Sequence, residues 1–181
     1  MLAYVFWHWP GPDIGSDAYE DLQRVFHRAL AQAAPSGFRQ SVVFRIEGGA
    51  PWLGGAPAYA DWYLVDGSAA LDPLNVAAVS GACQEPHDRV ARAASAGVGS
   101  LLTLRGQQAD VAAARRSSWL AKPKGMPYAE FYAALEPVPG SLWRRQMVLG
   151  PTPEFGLLSA EQIQIPPRFE AIELRLIPIG A

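Results

Sequence analysis

The sequence predicts an α+β fold made of a complete β-α-β-β-α-β unit, residues 1–106, and a reduced second copy of that plan, residues 107–181. The chain has 181 residues, of which 50% are hydrophobic, so it can bury a substantial core. Along residues 1–106, segments with strand periodicity and segments with helical periodicity follow one another in the order β-α-β-β-α-β. A Pro/Gly-rich loop followed by a helix that starts with tyrosine occurs once in each part. We therefore expect antiparallel sheets that pack together as an α+β barrel, either as two packed units or as one fused domain.

The first predicted strand, residues 3–9, is aromatic on both faces. Because side chains alternate along a strand, one face carries Tyr4, Phe6 and His8. The other face carries Val5, Trp7 and Trp9. Because both faces are large and mostly apolar, we expect a central strand that is covered on both sides.

The segment after the loop 10–16 has the pattern of an amphipathic helix. Its apolar residues recur at helical spacing until the chain reaches residues 35–37: Tyr19, Leu22, Phe26, Ala29, Leu30 and Ala33. The Pro-Ser-Gly sequence at 35–37 predicts the end of the helix.

The rest of the first unit alternates between strand and helix signals. We expect strands at 38–46, 58–65 and 98–104, and a helical region in two pieces at 68–95. The loop 47–57 carries four glycines and Trp52, which suits either a lid or an ordinary hairpin loop.

The second part repeats some of these signals. A strand at 117–122, a Pro/Gly loop and a helix that starts at Tyr128 are followed by predicted strands at 142–149, 157–165 and 171–178. The second crossover helix is missing, because Pro166 and Pro167 leave only a turn between the last two strands.

The element order of the first part is that of a ferredoxin-like unit, an antiparallel sheet with two helices on one face. With the aromatic segment His8-Trp9-Pro10, the helix around 19–22 and the run 62–71, the pattern resembles the dimeric α+β barrel superfamily. That superfamily includes the antibiotic-biosynthesis monooxygenases, the EthD-like proteins and the stress-responsive A/B barrels. The resemblance covers a little over half the chain. It implies that the open sheet face is closed by the second half or by a second copy in a homodimer, with a small-molecule pocket in the gap.

His8 is the residue that most suggests chemistry. An imidazole titrates near neutral pH and can act as a general base, and the hydroxyl of Tyr63 could orient a ligand beside it. His8 could instead be an axial haem ligand or a hydrogen-bonded core residue. The predicted walls of an apolar pocket are Tyr4, Phe6, Trp7, Trp52 and Trp62. The same rings could equally fill a solid core.

The remaining ionisable residues are interpreted as structural. We expect His27 at the edge of the helix stripe and His87 in a solvated first helical turn. We expect surface ion pairs that join three acidic residues (Asp61, Asp66 and Glu47) to Arg39 or Arg45.

Several function classes are disfavoured by what the sequence lacks. It has no G-x-S-x-G, G-x-x-x-x-G-K-[ST], C-x-x-C or H-E-x-x-H motif, and Cys83 is the only cysteine. The net charge of −2 does not suit nucleic acid, and no apolar run approaches the length of a membrane span. We expect no metal, no cofactor, no nucleic acid and no membrane partner, and a cytoplasmic location.

Two hypotheses for function follow. The first is a small-molecule-binding protein or cofactor-independent enzyme with an apolar or aromatic pocket between sheet layers. The second is a non-catalytic protein whose sheet face forms a subunit or partner interface. An open cavity that contains His8 and a tyrosine hydroxyl would favour the first, and a sealed aromatic interface the second.

Overall fold

The structure is a computed structural model that describes residues 1–53, 57–106, 110–147, 150 and 152–180. The strands are β1 (Leu2–Pro10), β2 (Phe38–Glu47), β3 (Ala58–Val65), β4 (Ala94–Arg105), β5 (Arg116–Leu120), β6 (Ser141–Arg145), β7 (Phe155–Ser159) and β8 (Ala171–Ile179). The α-helices are α1 (Ser16–Ala33), α2 (Leu71–Ala78), α3 (Gly81–Ala93) and α4 (Tyr128–Leu135).

The strands form one closed barrel. Their order around it is β1-β3-β2-β8-β5-β7-β6-β4, and β4 pairs with β1 again. Every neighbouring pair is antiparallel. The strands of the first half stand in the order β4-β1-β3-β2 and those of the second half in the order β8-β5-β7-β6. The two halves are therefore joined twice, by β2 with β8 and by β4 with β6.

The predicted fold class is wrong. We expected a ferredoxin-like unit and a reduced second copy with separate sheets that face each other, as in the dimeric α+β barrel superfamily. Ladder hydrogen bonds instead continue from one half into the other on both sides, so the protein is an eight-stranded β-barrel with helices outside. Periodicity identifies strands, but it does not show that two edges with unpaired backbone groups will pair with each other.

Most individual elements lie close to their predicted positions. β1 pairs on both sides, as expected of a central strand, and the helical region at 68–95 consists of two helices, α2 and α3. The predicted strand 157–165 is displaced, because β7 begins at Phe155 and ends at Ser159. Part of the predicted strand 142–149, part of the loop 47–57 and the link at 107–109 lie outside the described residues. The boundary between units at 106 and 107 therefore stays a prediction.

Tryptophan side chains fill the barrel. Trp7, Trp62, Trp119 and Trp143 are each at most 1% exposed, and they pack edge to face across the interior. Trp7 and Trp119 have ring centroids 5.3 Å apart, and Trp62 and Trp143 5.4 Å. Each of these pairs joins the first half of the chain to the second, so the halves share one core.

Small residues make room for these rings. Gly156 of β7 lies opposite both Trp119 and Trp143, and a Cβ atom at that position would be 2.9 Å from the Trp119 ring. The indole N–H of Trp119 donates to Ser117 Oγ and that of Trp143 to Ser141 Oγ, both at 3.0 Å. The hydroxyls of the two serines therefore satisfy two indole groups that would otherwise be buried without a partner.

The helices cover the outside of the barrel. α1, α2 and α3 pack over β1, β3 and β4, where a second apolar cluster includes Phe26, Leu30, Tyr63 and Leu74. α4 packs over β5 and β7 through a third cluster around Phe131. In the part of the chain that the structure describes, no helix is long and apolar enough to cross a membrane.

Candidate functional site

A buried carboxylate lies at the centre of a polar network between α1 and the barrel. Asp61 is 2% exposed and points outward from β3, beneath α1. Its Oδ1 lies 2.9 Å from His8 Nε2, and its Oδ2 accepts a hydrogen bond of 2.9 Å from the Tyr63 hydroxyl. A carboxylate this deep in the protein is stabilised only if its neighbours donate hydrogen bonds to it.

Strand register brings these groups together. Alternation along β3 places Tyr59, Asp61 and Tyr63 on the outer face of the barrel, and alternation along β1 does the same for His8. Phe6 is directly opposite Asp61 and Tyr59 is opposite His8, so Asp61 and His8 are diagonal neighbours on the same face.

The network determines which nitrogen of His8 carries the proton when the ring is neutral. An ionised Asp61 only accepts hydrogen bonds, so His8 Nε2–H donates to it, and this leaves Nδ1 as an acceptor. The Tyr19 hydroxyl of α1 lies 2.6 Å from that Nδ1 and donates to it. The result is a continuous chain of hydrogen bonds from Tyr19 through His8 to Asp61.

Asp61 stays ionised because of its neighbours. Burial by itself would raise the pKa of Asp61, but the charges and hydrogen bonds of His8 and His27 outweigh burial and hold that pKa below its usual range. The carboxylate is thus present as an anion at physiological pH.

The same surroundings keep the tyrosines neutral. Burial, and after it the negative charge of Asp61, raises the pKa of Tyr63, Tyr19 and Tyr4 above the ordinary value of 10.0. All three phenols therefore keep their protons at physiological pH and can act as hydrogen-bond donors.

His27 supports the network from α1. It is 1% exposed, its ring stacks on Tyr63 with centroids 5.3 Å apart, and its Nε2 lies 3.4 Å from Asp61 Oδ2. Its Nδ1 is 2.7 Å from Ser41 Oγ. The prediction that His27 lies at the edge of the helix stripe is wrong, because α1 presses this imidazole against the barrel.

A cavity of about 600 Å³ opens next to the network. It lies between the outer face of β1, β3 and β4 and the three helices α1, α2 and α3. Its polar end is formed by His8, Tyr19, Gln23 and Asp61. Its other walls are mostly apolar and include Phe6, Phe26, Leu71, Leu74 and Val90. A mainly apolar pocket with a few convergent polar groups is the usual form of a small-molecule site.

The structure divides the predicted site residues into two groups. His8, Tyr63, Tyr4 and Phe6 all line the cavity. The predicted wall residues Trp7, Trp52 and Trp62 lie on the opposite side of the sheet and pack in the barrel interior. Alternation along β1 and β3 separates Trp7 and Trp62 from the cavity residues, because neighbouring residues of a strand point to opposite faces.

Sequence reasoning missed three members of the site. Asp61 was expected in a surface ion pair, yet it is the one charged residue in a strand whose eight residues are all buried. Tyr19 was recognised only as part of the helix stripe, and Gln23 was not considered. A charge in the middle of an apolar strand was the available signal for Asp61.

One of the expected surface ion pairs is present, and the other candidate partners pair with different residues. Arg39 pairs with Asp66, as predicted. Glu47 pairs with Arg175, and Arg45 pairs with Glu20 of α1 at 2.8 Å. Among the residues that the structure describes, no group of three or more His, Cys, Asp and Glu side chains is arranged to hold a metal ion.

Comparison with known proteins gives no family assignment. A scan against protein-family models and a search of curated proteins both found no match. Together with the closed barrel, this overturns the predicted resemblance to the antibiotic-biosynthesis monooxygenases and EthD-like proteins.

Proposed function

We propose that this protein binds an apolar or aromatic small molecule in the cavity and transfers a proton from it through Tyr19 and His8. The observation that carries the proposal is the hydrogen-bonded chain Tyr19–His8–Asp61 at the polar end of an otherwise apolar cavity. Enzymes use a base that is oriented by a carboxylate and hydrogen-bonded to a hydroxyl to take the proton from that hydroxyl.

The relay begins at the Tyr19 oxygen. Both nitrogens of His8 are occupied, so a proton from a ligand reaches the imidazole through the Tyr19 hydroxyl oxygen. A ligand with an acidic C–H or O–H bond gives its proton to that oxygen, while the hydroxyl proton of Tyr19 passes to His8 Nδ1. The products are the ligand anion, a neutral tyrosine and a protonated imidazole.

Asp61 determines where the proton rests. The raised pKa of Tyr19 disfavours a lasting phenolate, whereas the imidazolium of His8 would lie 2.9 Å from an ionised carboxylate. The low dielectric of the buried site strengthens this attraction relative to water. Asp61 therefore orients His8 and stabilises its charged form without taking the proton itself.

The cavity also bears on the choice between the two hypotheses for function that the sequence suggested. The rings inside the barrel fill a solid core, whereas His8 and three tyrosines line a cavity on the outer face. This supports the small-molecule hypothesis over a fold whose sheet face serves only as an interface.

The chemistry can be tested with 5-nitrobenzisoxazole, a flat aromatic probe that responds to any buried base. Removal of its ring C–H proton breaks the N–O bond and releases a coloured nitrile phenolate, so absorbance reports proton abstraction. We expect the wild-type protein to accelerate this reaction, and Tyr19→Phe and His8→Gln to lower the rate by about 10²-fold, the lower end of what general base catalysis contributes.

Tyr128→Phe is the matched control. Tyr128 is a 40% exposed tyrosine of α4, outside the cavity, so the variant should keep the wild-type rate. Calorimetric titration with the same probe separates binding from chemistry. Equal rates in the wild type and in both site variants would refute the relay, and failure of the wild type to bind the probe would refute the proposed pocket.

A further inference from the structure

Gln23 has a buried side chain that the fold does not use. It lies on α1 one turn after Tyr19, is 0% exposed and lines the cavity. Neither its amide oxygen nor its amide nitrogen has a hydrogen-bond partner within 3.5 Å among the described residues, although the Tyr19 hydroxyl is close enough for a longer, weaker contact with this amide. A buried primary amide normally finds partners, because leaving it unpaired costs free energy that folding must offset.

The polar groups around Gln23 are already engaged with one another. The Tyr19 hydroxyl donates to His8, His8 donates to Asp61, and Tyr63 donates to the second oxygen of the same carboxylate. The remaining walls of the cavity near Gln23 are mainly hydrocarbon, Phe26 and Leu74 among them. Neighbouring side chains cover both amide atoms, so a bound molecule reaches them once Gln23 turns toward the cavity that it lines.

We infer that Gln23 is the recognition residue of the cavity and that it selects a neutral, mainly apolar ligand with an adjacent hydrogen-bond donor and acceptor, as in a lactam. A primary amide presents C=O and N–H₂ side by side, and a lactam presents N–H and C=O with the complementary spacing, so two hydrogen bonds form at once. The inference rests on the proposed function, because it names the ligand class of the same cavity.

Charge favours a ligand that arrives neutral, and the anion left by proton transfer forms only together with the His8 imidazolium, which offsets the charge of Asp61. The Asp61 carboxylate lies at the polar end of the cavity, where an anionic ligand would meet a like charge in a poorly solvated site. The oxygens of Asp61 already accept from His8 and Tyr63, so a ligand has to find its main polar partner elsewhere. Gln23 supplies it.

Binding of two quinolones tests the inference. 2-Quinolone carries the lactam N–H and C=O, and N-methyl-2-quinolone lacks the donor. By calorimetric titration we expect the wild type to bind 2-quinolone roughly ten-fold more tightly than its N-methyl analogue, which corresponds to the loss of about one well-formed hydrogen bond. Gln23→Met, which has a similar shape but no amide, should remove this preference, and Gln32→Met on the exposed side of the same helix should retain it.

Thermal stability of the unliganded protein provides a second readout. If the amide is unpaired, Gln23→Met relieves an unfavourable burial and should raise the melting temperature by about 2–4 °C. A fall in melting temperature would mean that the amide has a structural partner, and it would overturn the inference.

The outcomes separate this inference from the proposed function. Equal affinity for both quinolones in the wild type and in Gln23→Met would overturn the role of Gln23 and leave the pocket intact. If the wild type binds neither quinolone nor 5-nitrobenzisoxazole, the pocket itself is refuted.

Discussion

At the scale of the residue, Asp61 is the side chain around which the candidate site is built. It is a buried anion that accepts hydrogen bonds from His8 and Tyr63 and lies within 3.4 Å of His27. Asp61 is therefore surrounded by hydrogen-bonding groups, although the strand it belongs to is otherwise mainly apolar. Such a group is costly to bury without partners, and removing its charge should affect both stability and the orientation of His8.

We predict that Asp61→Asn lowers the free energy of unfolding by about 3–5 kcal/mol near pH 7, because the buried hydrogen bonds from His8 and Tyr63 lose their charged acceptor, at roughly 1.5–3 kcal/mol each. The pKa of Asp61 is lowered in the folded protein, so the stability it contributes is present above its unfolded value of about 3.9 and is lost as the pH falls toward the folded value. When urea unfolding is measured from pH 7 to about pH 3, the free energy of unfolding of the wild type should therefore fall toward that of the variant.

Asp66→Asn is the matched control for that experiment. Asp66 pairs with Arg39 at the surface, where both side chains are more than half exposed, so its replacement should cost at most about 1 kcal/mol. If the difference in free energy of unfolding between the wild type and Asp61→Asn stays constant down to acid pH, the pKa of Asp61 is not lowered.

At the scale of the element, the β4 strand shapes the floor of the cavity through its small residues. Gly97 lies opposite His8 and Gly99 lies opposite Phe6 in the ladder with β1. The rings of Phe6 and Tyr4 extend over these two glycines. Larger side chains at either position would push the rings toward the helices and into the cavity.

We predict that Gly97→Ala destabilises the protein by about 1–3 kcal/mol, as expected of overpacking. A Cβ atom there would contact the Phe6 ring and would lie 2.8 Å from the Trp7 carbonyl oxygen, so Phe6 has to move. Urea unfolding measures the change. Gly180→Ala is the control, since a Cβ atom at Gly180 meets no atom within 4 Å. Equal stability of both variants would show that Phe6 does not lie over β4.

At the scale of the whole molecule, the closed barrel ties the two halves of the chain together. The ladders of β2 with β8 and of β4 with β6 cross between the halves, and the interior tryptophans of one half pack against those of the other. Neither half can bury its indole rings without its counterpart. The molecule should therefore unfold as one cooperative unit.

We predict a single urea unfolding transition, with coincident curves from far-ultraviolet circular dichroism and tryptophan fluorescence. Trp119→Ala removes a fully buried ring that contacts Trp7 of the other half, and should cost about 3–5 kcal/mol without splitting the transition. Ile172→Ala, at a 36% exposed position on β8, should cost far less. Two separate transitions would show that the halves are independent units.

Local pattern was enough to predict several parts of this molecule. Alternation in β1 correctly separated His8 and Phe6 from Trp7, and helical spacing correctly located α1. These properties depend on residues close in sequence, whose side-chain directions follow from the geometry of a strand or helix. For the same reason His8 and Tyr63 could be chosen as site candidates before any fold was known.

What the sequence by itself determined is thus most of the strands and helices and, along β1, the face on which each side chain lies. Only the tertiary structure decided that the strands close into one barrel, that Asp61 comes to lie beside His8, and that the cavity forms outside the barrel and not within it. These outcomes depend on strand register and edge pairing between segments far apart in the chain. Local periodicity carries no information about them.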